Sequence, residues 1–222
     1  MLLKTRGIVF RFVRYGETSI IVTMFTEVLG LQTYIVNGVR SKSAKNKIAL
    51  YQPLTLLDLV VYHKENASIL RIKELQCAHP YMTLTVDVKK STLALFINEL
   101  LNRTVKDQSH PEEIFSFLFD SLVTLDLMST HYENFHLSFL IKLSRFLGFG
   151  ANFSQEVLGA RLVSDEEEMI LKQLLSSDYQ ERLIITNLQR RTLLEVMIRF
   201  YRQHLDGFGE MKSIAVLRDV LG

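Results

Sequence analysis

The chain has 222 residues, 48% hydrophobic and 23% charged, a balance that excludes wholesale disorder and allows a substantial core. Its single cysteine, Cys77, excludes an internal disulfide and a cysteine-rich metal site, which fits a reducing cytoplasm. The net charge of +2 hides an asymmetry: residues 1–80 carry 11 Lys and Arg against 5 Asp and Glu, whereas residues 81–222 carry 15 against 19. A basic front half joined to an acidic back half points to two units with different partners, the first a polyanion.

The opening stretch MLLKTRGIVFRFVRYGE has charges at positions 4, 6, 11 and 14 and lacks the apolar run of a signal peptide. No later stretch reaches membrane-spanning length, so no membrane partner is expected. Within the opening stretch Ile8, Phe10 and Phe12 alternate with Val9, Arg11 and Val13, the period of a strand. SIIVTMF (19–25) and LQTYIV (31–36) continue the pattern, and Gly30 suits the turn between them. After a polar connection come LTLLDLVVY (54–62) and SILRIKEL (68–75), joined as a hairpin through HKENA. Five strands with one long loop after the third predict a small closed barrel such as an OB-fold, with an SH3-like barrel or an open meander as alternatives.

From residue 82 the period becomes helical. Ile114, Phe117, Leu118, Ser121, Leu122 and Leu125 form one stripe, and Val86, Leu93, Ile97, Leu100 and Leu101 form another. Ser109 with Glu112, and Ser164 with Glu167, have capping-box spacing, and Pro111 fits a first helical turn. Further helices are expected at about 132–147, 165–175, 188–204 and 213–221, packed into one bundle. The fold class is therefore α+β in two domains: a five-stranded OB-fold barrel over 1–80 and an all-helical domain over 81–222.

The connection after the third strand is the most informative stretch. Arg40, Lys42, Lys45 and Lys47 fall within eight positions, and no acid occurs between Glu27 and Asp58. Cations on a loop beside a barrel neutralise phosphates and release counterions, whereas a solvated loop that merely aids solubility would serve with fewer. Arg6, Arg11 and Arg14 on the first strand and Arg71 and Lys73 on the last extend the track. Tyr15, Tyr34, Tyr51 and Tyr62 are the candidates for base stacking, and Tyr34 is the one assigned to the interface.

The motifs along this half resemble the amino-terminal signature of the RecO family of bacterial recombination-mediator proteins. The matching features are Gly7, YGE at 15–17, FT at 25–26, Gly30 and NGVRS at 37–41. LGFGANF (147–153) and MKSIAVLRDVL (211–221) resemble the family's later landmarks. The resemblance implies an OB-fold followed by a helical domain, a cytoplasmic, nucleoid-associated protein, and no catalytic reaction of the usual kind. It implies binding of single- and double-stranded DNA and annealing of complementary strands. It also implies partnership with RecR in helping RecA displace single-stranded-DNA-binding protein. Many relatives carry four zinc-binding cysteines in the helical domain; the corresponding stretch ANFSQEVLGARLVSDEEEMI has none, so neither zinc nor any other cofactor is expected and packing alone should hold that lobe.

In the helical half, Lys142 and Arg145 lie on a polar face near Phe146 and the FLGFG corner. That face reads as solvated by composition; the resemblance implies a dock in this domain for the acidic, hydrophobic tail of single-stranded-DNA-binding protein. Lys142, Arg145 and Phe146 are the expected place because they lie at the FLGFG corner. Arg191, Glu195, Arg199 and Arg202 form a second such face. The six histidines show no metal-ligand spacing, and the acids of SDEEE (164–168) are explained by a helix N-terminus. A protein-only adaptor whose barrel docks another protein is the rival reading, and a nucleic-acid hydrolase ranks below it for want of an acid–base or metal constellation.

Overall fold

The computed structural model describes residues 1–40, 47–106, 110–179 and 181–221. Five strands come first: β1 (Leu2–Tyr15), β2 (Ser19–Thr26), β3 (Gly30–Val36), β4 (Leu56–Tyr62) and β5 (Leu70–Cys77). They close into a barrel in the order β1-β2-β3-β5-β4. Every pairing is antiparallel except that of β3 with β5. This is the OB-fold rather than an SH3-like barrel or a meander, and the barrel closes through a short β3–β5 pairing, Tyr34 with Leu70 and Ile35 with Arg71. The interior is filled by Val9, Ile20, Val22, Met24, Tyr34 and Leu57 among others. A Cβ at Gly7 would stand 2.7 Å from Cδ1 of buried Leu59, so glycine lets β1 lie flat against a filled interior.

The alternation expected across residues 8–13 breaks at a bulge. The β1–β2 register shifts between Val9 and Arg11, which leaves Phe10 as the extra residue. Val9 and Phe12 therefore belong to the interior, while Ile8 and Phe10 are buried outside it. The helix α2 (Pro111–Leu127) supplies the cover: Phe25 stacks on Phe10 at 5.9 Å and on Phe115 at 6.4 Å. Phe115 lies off the expected stripe yet is fully buried, because α2 is apolar on two sides.

The chain divides into two compact units: Met1–Tyr81 with Val105–Val123, and Met82–Thr104 with Thr124–Gly222. The first unit is thus the barrel plus the front of α2. The second contains α1 (Val88–Thr104), the end of α2, α3 (Phe135–Phe146), α4 (Ser154–Leu158), α5 (Asp165–Ser176), α6 (Asn187–His204) and α7 (Ser213–Leu221). Among the described residues no helix is long and apolar enough to cross a membrane.

Three helix starts of the second unit are capped by side chains. Ser164 and Glu167 exchange hydrogen bonds at the start of α5, as the spacing predicts. Thr186 and Gln189 do the same for α6. Glu99 accepts the backbone N–H groups of Lys212 and Ser213 and so caps α7; these bonds, opposed by burial, hold its carboxyl down at about 2. Asp126 receives the N–H groups of Met82, Thr83 and Leu84, and buried Lys90 donates to the carbonyl of the same aspartate at 2.8 Å.

Two expectations need correction. Val86 sits in the turn before α1 and is 75% exposed, so it takes no part in the helical stripe. The stretch 151–170 is not held by packing alone: Glu168 accepts from Ser154 at 3.0 Å and Gln155 at 2.9 Å, tying α4 to α5. The donor set there does not fit zinc, because Cys77 is the chain's one cysteine and lies in β5. Ser109, expected to cap α2, lies outside the described residues.

Candidate nucleic-acid interface

Strand register assembles a surface that no single stretch announces. Val13 pairs with Ile21, Ile21 with Ile35, Ile35 with Arg71, and Arg71 with Tyr62. None of these side chains belongs to the interior, so they form a transverse row on the outside of the barrel. Val13 is 55% exposed and Tyr62 50%, while Ile21 and Ile35 are half-buried. Two residues along on the same face, Arg11 opposes Thr23, and Thr23 opposes Thr33. Tyr15, 53% exposed, closes the β1 end beside Arg14. The outside of β2 and β3 is where this fold commonly binds oligonucleotides.

The cations of this surface are uncommitted. Arg11 and Arg71 lie on this face and Arg14, which opposes core Ile20, at the barrel end; all three are exposed, and among the described residues none has a carboxylate in ion-pair range. Arg11 makes a long contact of 3.5 Å to the Thr23 hydroxyl. Arg40 is fixed at the same end of the barrel. Its N–H donates to the Thr18 carbonyl at 3.0 Å, and its Nη1 to the Gly16 carbonyl at 3.2 Å. Gly16 holds the β1–β2 turn with φ +56°, a conformation that side chains disfavour. The basic connection therefore begins pinned against the turn that carries Tyr15. Lys47 is exposed at the start of a short 3-10 helix, Lys47–Tyr51, whereas Lys42 and Lys45 lie outside the described residues.

Four expected contacts add little or nothing to this surface. Tyr34 is fully buried, because its β3 position faces the interior, and burial pushes its hydroxyl pKa well up. It cannot stack on a base. Tyr51 is buried likewise, its pKa raised to about 12. Arg6 is bidentate on Glu27, at 3.0 and 2.7 Å, and its guanidinium lies 5.2 Å from the Phe115 ring centroid and 4.8 Å from that of Phe119. That hydrogen bonding raises the Arg6 pKa and lowers that of Glu27. Arg6 is a clamp between barrel and helix, so its charge is not offered to a ligand. Lys73, at the β5 bulge, is 3.2 Å from Glu74 and adds little net charge.

In the helical unit, Lys142 pairs with Asp178 at 3.0 Å and lies over the Tyr179 ring at 5.3 Å. Arg145 donates to the Leu175 carbonyl at 2.7 Å, and Phe146 beside it is 38% exposed. The more cationic concavity of this unit lies between α6 and α7, a groove of about 470 Å³ with Arg161, Arg199, Arg202 and Arg218 on its rim. Arg199 and Arg202 stood out in the sequence as a polar helix face; Arg161 and Arg218 did not, because only the folded chain brings three separated segments together.

Comparison with known proteins gives a consistent result. A family model described as the N-terminal part of recombination protein O matches residues 1–81, and one for the C-terminal part matches residues 86–167. The chain is similar to proteins named DNA repair protein RecO from Flavobacterium psychrophilum, 34% identical, Bacteroides fragilis, 33%, and Flavobacterium johnsoniae, 32%. Each of these alignments covers 99% of this chain and 99% of the relative.

Proposed function

Because the chain belongs to the RecO family of DNA repair proteins, we propose that its barrel holds single-stranded DNA across the outside of β1, β2, β3 and β5. The observation that carries this reading is the row Val13–Ile21–Ile35–Arg71–Tyr62, an apolar strip flanked by arginines without carboxylate partners. Tyr15 and Tyr62 stack on bases, and Arg11, Arg14, Arg40 and Arg71 meet phosphates. Lys42, Lys45 and Lys47 extend that track along the basic connection. Duplex DNA binds the same cations through its backbone.

Annealing follows without a covalent step. Cations that neutralise phosphates lower the repulsion between two strands, and a strand held by its backbone leaves its base edges free to pair. The family supports the wider role: acting with RecR to help RecA replace single-stranded-DNA-binding protein, whose acidic tail docks on the helical unit near Arg145 and Phe146.

Binding of a labelled oligonucleotide across a salt series tests the reading. Wild-type affinity should fall steeply with salt, and Arg11→Glu/Arg14→Glu/Arg71→Glu should flatten that slope and abolish most binding. Equal affinity in wild type and variant would leave the barrel as a protein-docking module and refute the proposal.

A further inference from the structure

The outward face of β1, β2 and β3 has an aliphatic middle where a base-stacking surface would carry rings. Side chains two residues apart on a strand share a face. Val13, Ile21 and Ile35 therefore run across the middle, with Arg11, Thr23 and Thr33 in the row on one side. On the other side Tyr15 opposes Ser19, whose hydroxyl donates to the Asn37 side-chain oxygen at 3.1 Å just past β3. Ile21, Ile35, Thr23 and Thr33 are half-buried and Val13 is exposed. All five are β-branched, so the centre of the face is paved with methyl groups and bordered by hydroxyls.

The exposed tyrosines stand at the ends of this face, Tyr15 on β1 and Tyr62 beyond Arg71 on β4. A ring takes any base, because every base has a π-face. A row of methyl groups gains instead from the apolar surface it covers. Of the four DNA bases only thymine carries an aliphatic group, the 5-methyl. The polar base edges, laid on Ile21 or Ile35, would lose water without gaining a hydrogen bond. Thymine O4 adjoins the methyl, so a thymine seated on the middle row presents O4 to a bordering hydroxyl of Ser19, Thr23 or Thr33.

We propose that Val13, Ile21 and Ile35 are specificity-determining residues that receive thymine 5-methyl groups, so that the barrel prefers thymine-rich single strands. The inference rests on the strand-binding reading above and adds to it the base that the face favours. It leaves every sequence bound, because Arg11, Arg40 and Arg71 meet phosphates that all sequences share. The preference is therefore a modest bias on top of a general affinity.

Binding of labelled oligothymidylate and oligodeoxyuridylate of equal length to the full chain tests this. The two strands share backbone and charge and differ only in the methyl group. Wild type should bind the thymine strand at least ~3-fold more tightly, with the same salt slope for both. Ile21→Thr/Ile35→Thr keeps the β-branch that suits a strand, puts a hydroxyl in place of apolar carbon, and should bring the ratio close to one. Arg11→Gln/Arg71→Gln should weaken both oligonucleotides and preserve the ratio. Equal affinity of wild type for the two strands overturns the proposal without recourse to any variant, and so does a ratio that survives the threonine substitutions. Failure to bind either strand at low salt would refute the strand-binding reading itself, and this inference with it.

Discussion

The two units treat positive charge in opposite ways. In the helical unit it is built into the interior. Arg190 is 8% exposed and donates to the Asn134 and Asn187 side chains and to the carbonyls of Leu221 and Ile185. Lys90 is buried with donor bonds to Thr83 and Asp126, and desolvation lowers its pKa. On the barrel, Arg11, Arg14 and Arg71 stand in solvent with no carboxylate in ion-pair range among the described residues. A cation with every donor satisfied inside the protein stabilises it, and one left open is available to a ligand. Arg6 shows that the distinction follows environment rather than strand, since it shares β1 with Arg11 and Arg14 yet is locked to Glu27.

The sharpest way to break this contrast is to delete a buried cation. Arg190→Ala strands four acceptors and opens a void, and should cost about 3 kcal/mol or more of stability in urea titrations. Oligonucleotide affinity, measured while the variant remains folded, should be unchanged. The reciprocal change is Arg11→Glu/Arg14→Glu/Arg71→Glu, which should leave the urea midpoint within error and weaken oligonucleotide binding at least ~100-fold at low salt. If both variants lost both properties, the division of roles would be false. Aromatic substitutions sharpen it further. Tyr15→Ala and Tyr62→Ala should each cost about 1–2 kcal/mol of oligonucleotide affinity. Tyr34→Phe should change that affinity less than about twofold, because no base reaches a ring inside the barrel.

How far these roles could be read in the sequence differs between the units. Strand existence, the α+β class and most helices follow from periods of two and 3.6, because burial of one face imposes them. The choice of an OB-fold over an SH3-like barrel or a meander lies instead in the strand order β1-β2-β3-β5-β4. What the sequence concealed depends on register. A single bulged residue, Phe10, moves Ile8 to the outside of the barrel and Phe12 to the inside, and nothing in GIVFRFV marks it. Tyr34 and Tyr62 looked alike as strand tyrosines, yet parity puts one in the core and the other on the row with Arg71. Arg6 looked like Arg11, and only the approach of Glu27, Phe115 and Phe119 committed it. The helix α4 has five residues, too few for any period to show.

An effect comparable to the tyrosine losses comes from a group that gives the helical unit its own pH response. His136 is fully buried in α3, edge-on to Phe96 at 5.9 Å, and neither ring nitrogen has a hydrogen-bond partner among the described residues. The charged groups around the adjoining void are Arg190, Arg191 and Arg218, all cationic, so nothing there would compensate an imidazolium. Burial, reinforced by Arg190, lowers its pKa from 6.5 to about 3. Below pH 6.5 the unfolded chain therefore takes up a proton that the folded chain refuses, and stability falls as pH falls, with a limiting slope of about 1.4 kcal/mol per pH unit. Glu99 adds a loss in the same direction, but only below its ordinary value of 4.5, since its folded value is about 2. Urea titrations between pH 6.5 and 5 thus isolate the histidine. His136→Phe should flatten the slope in that window while leaving oligonucleotide binding intact. A slope that survived the substitution would place the acid sensitivity in another group and remove His136 from the set of interior polar residues that the helical unit holds in a single protonation state.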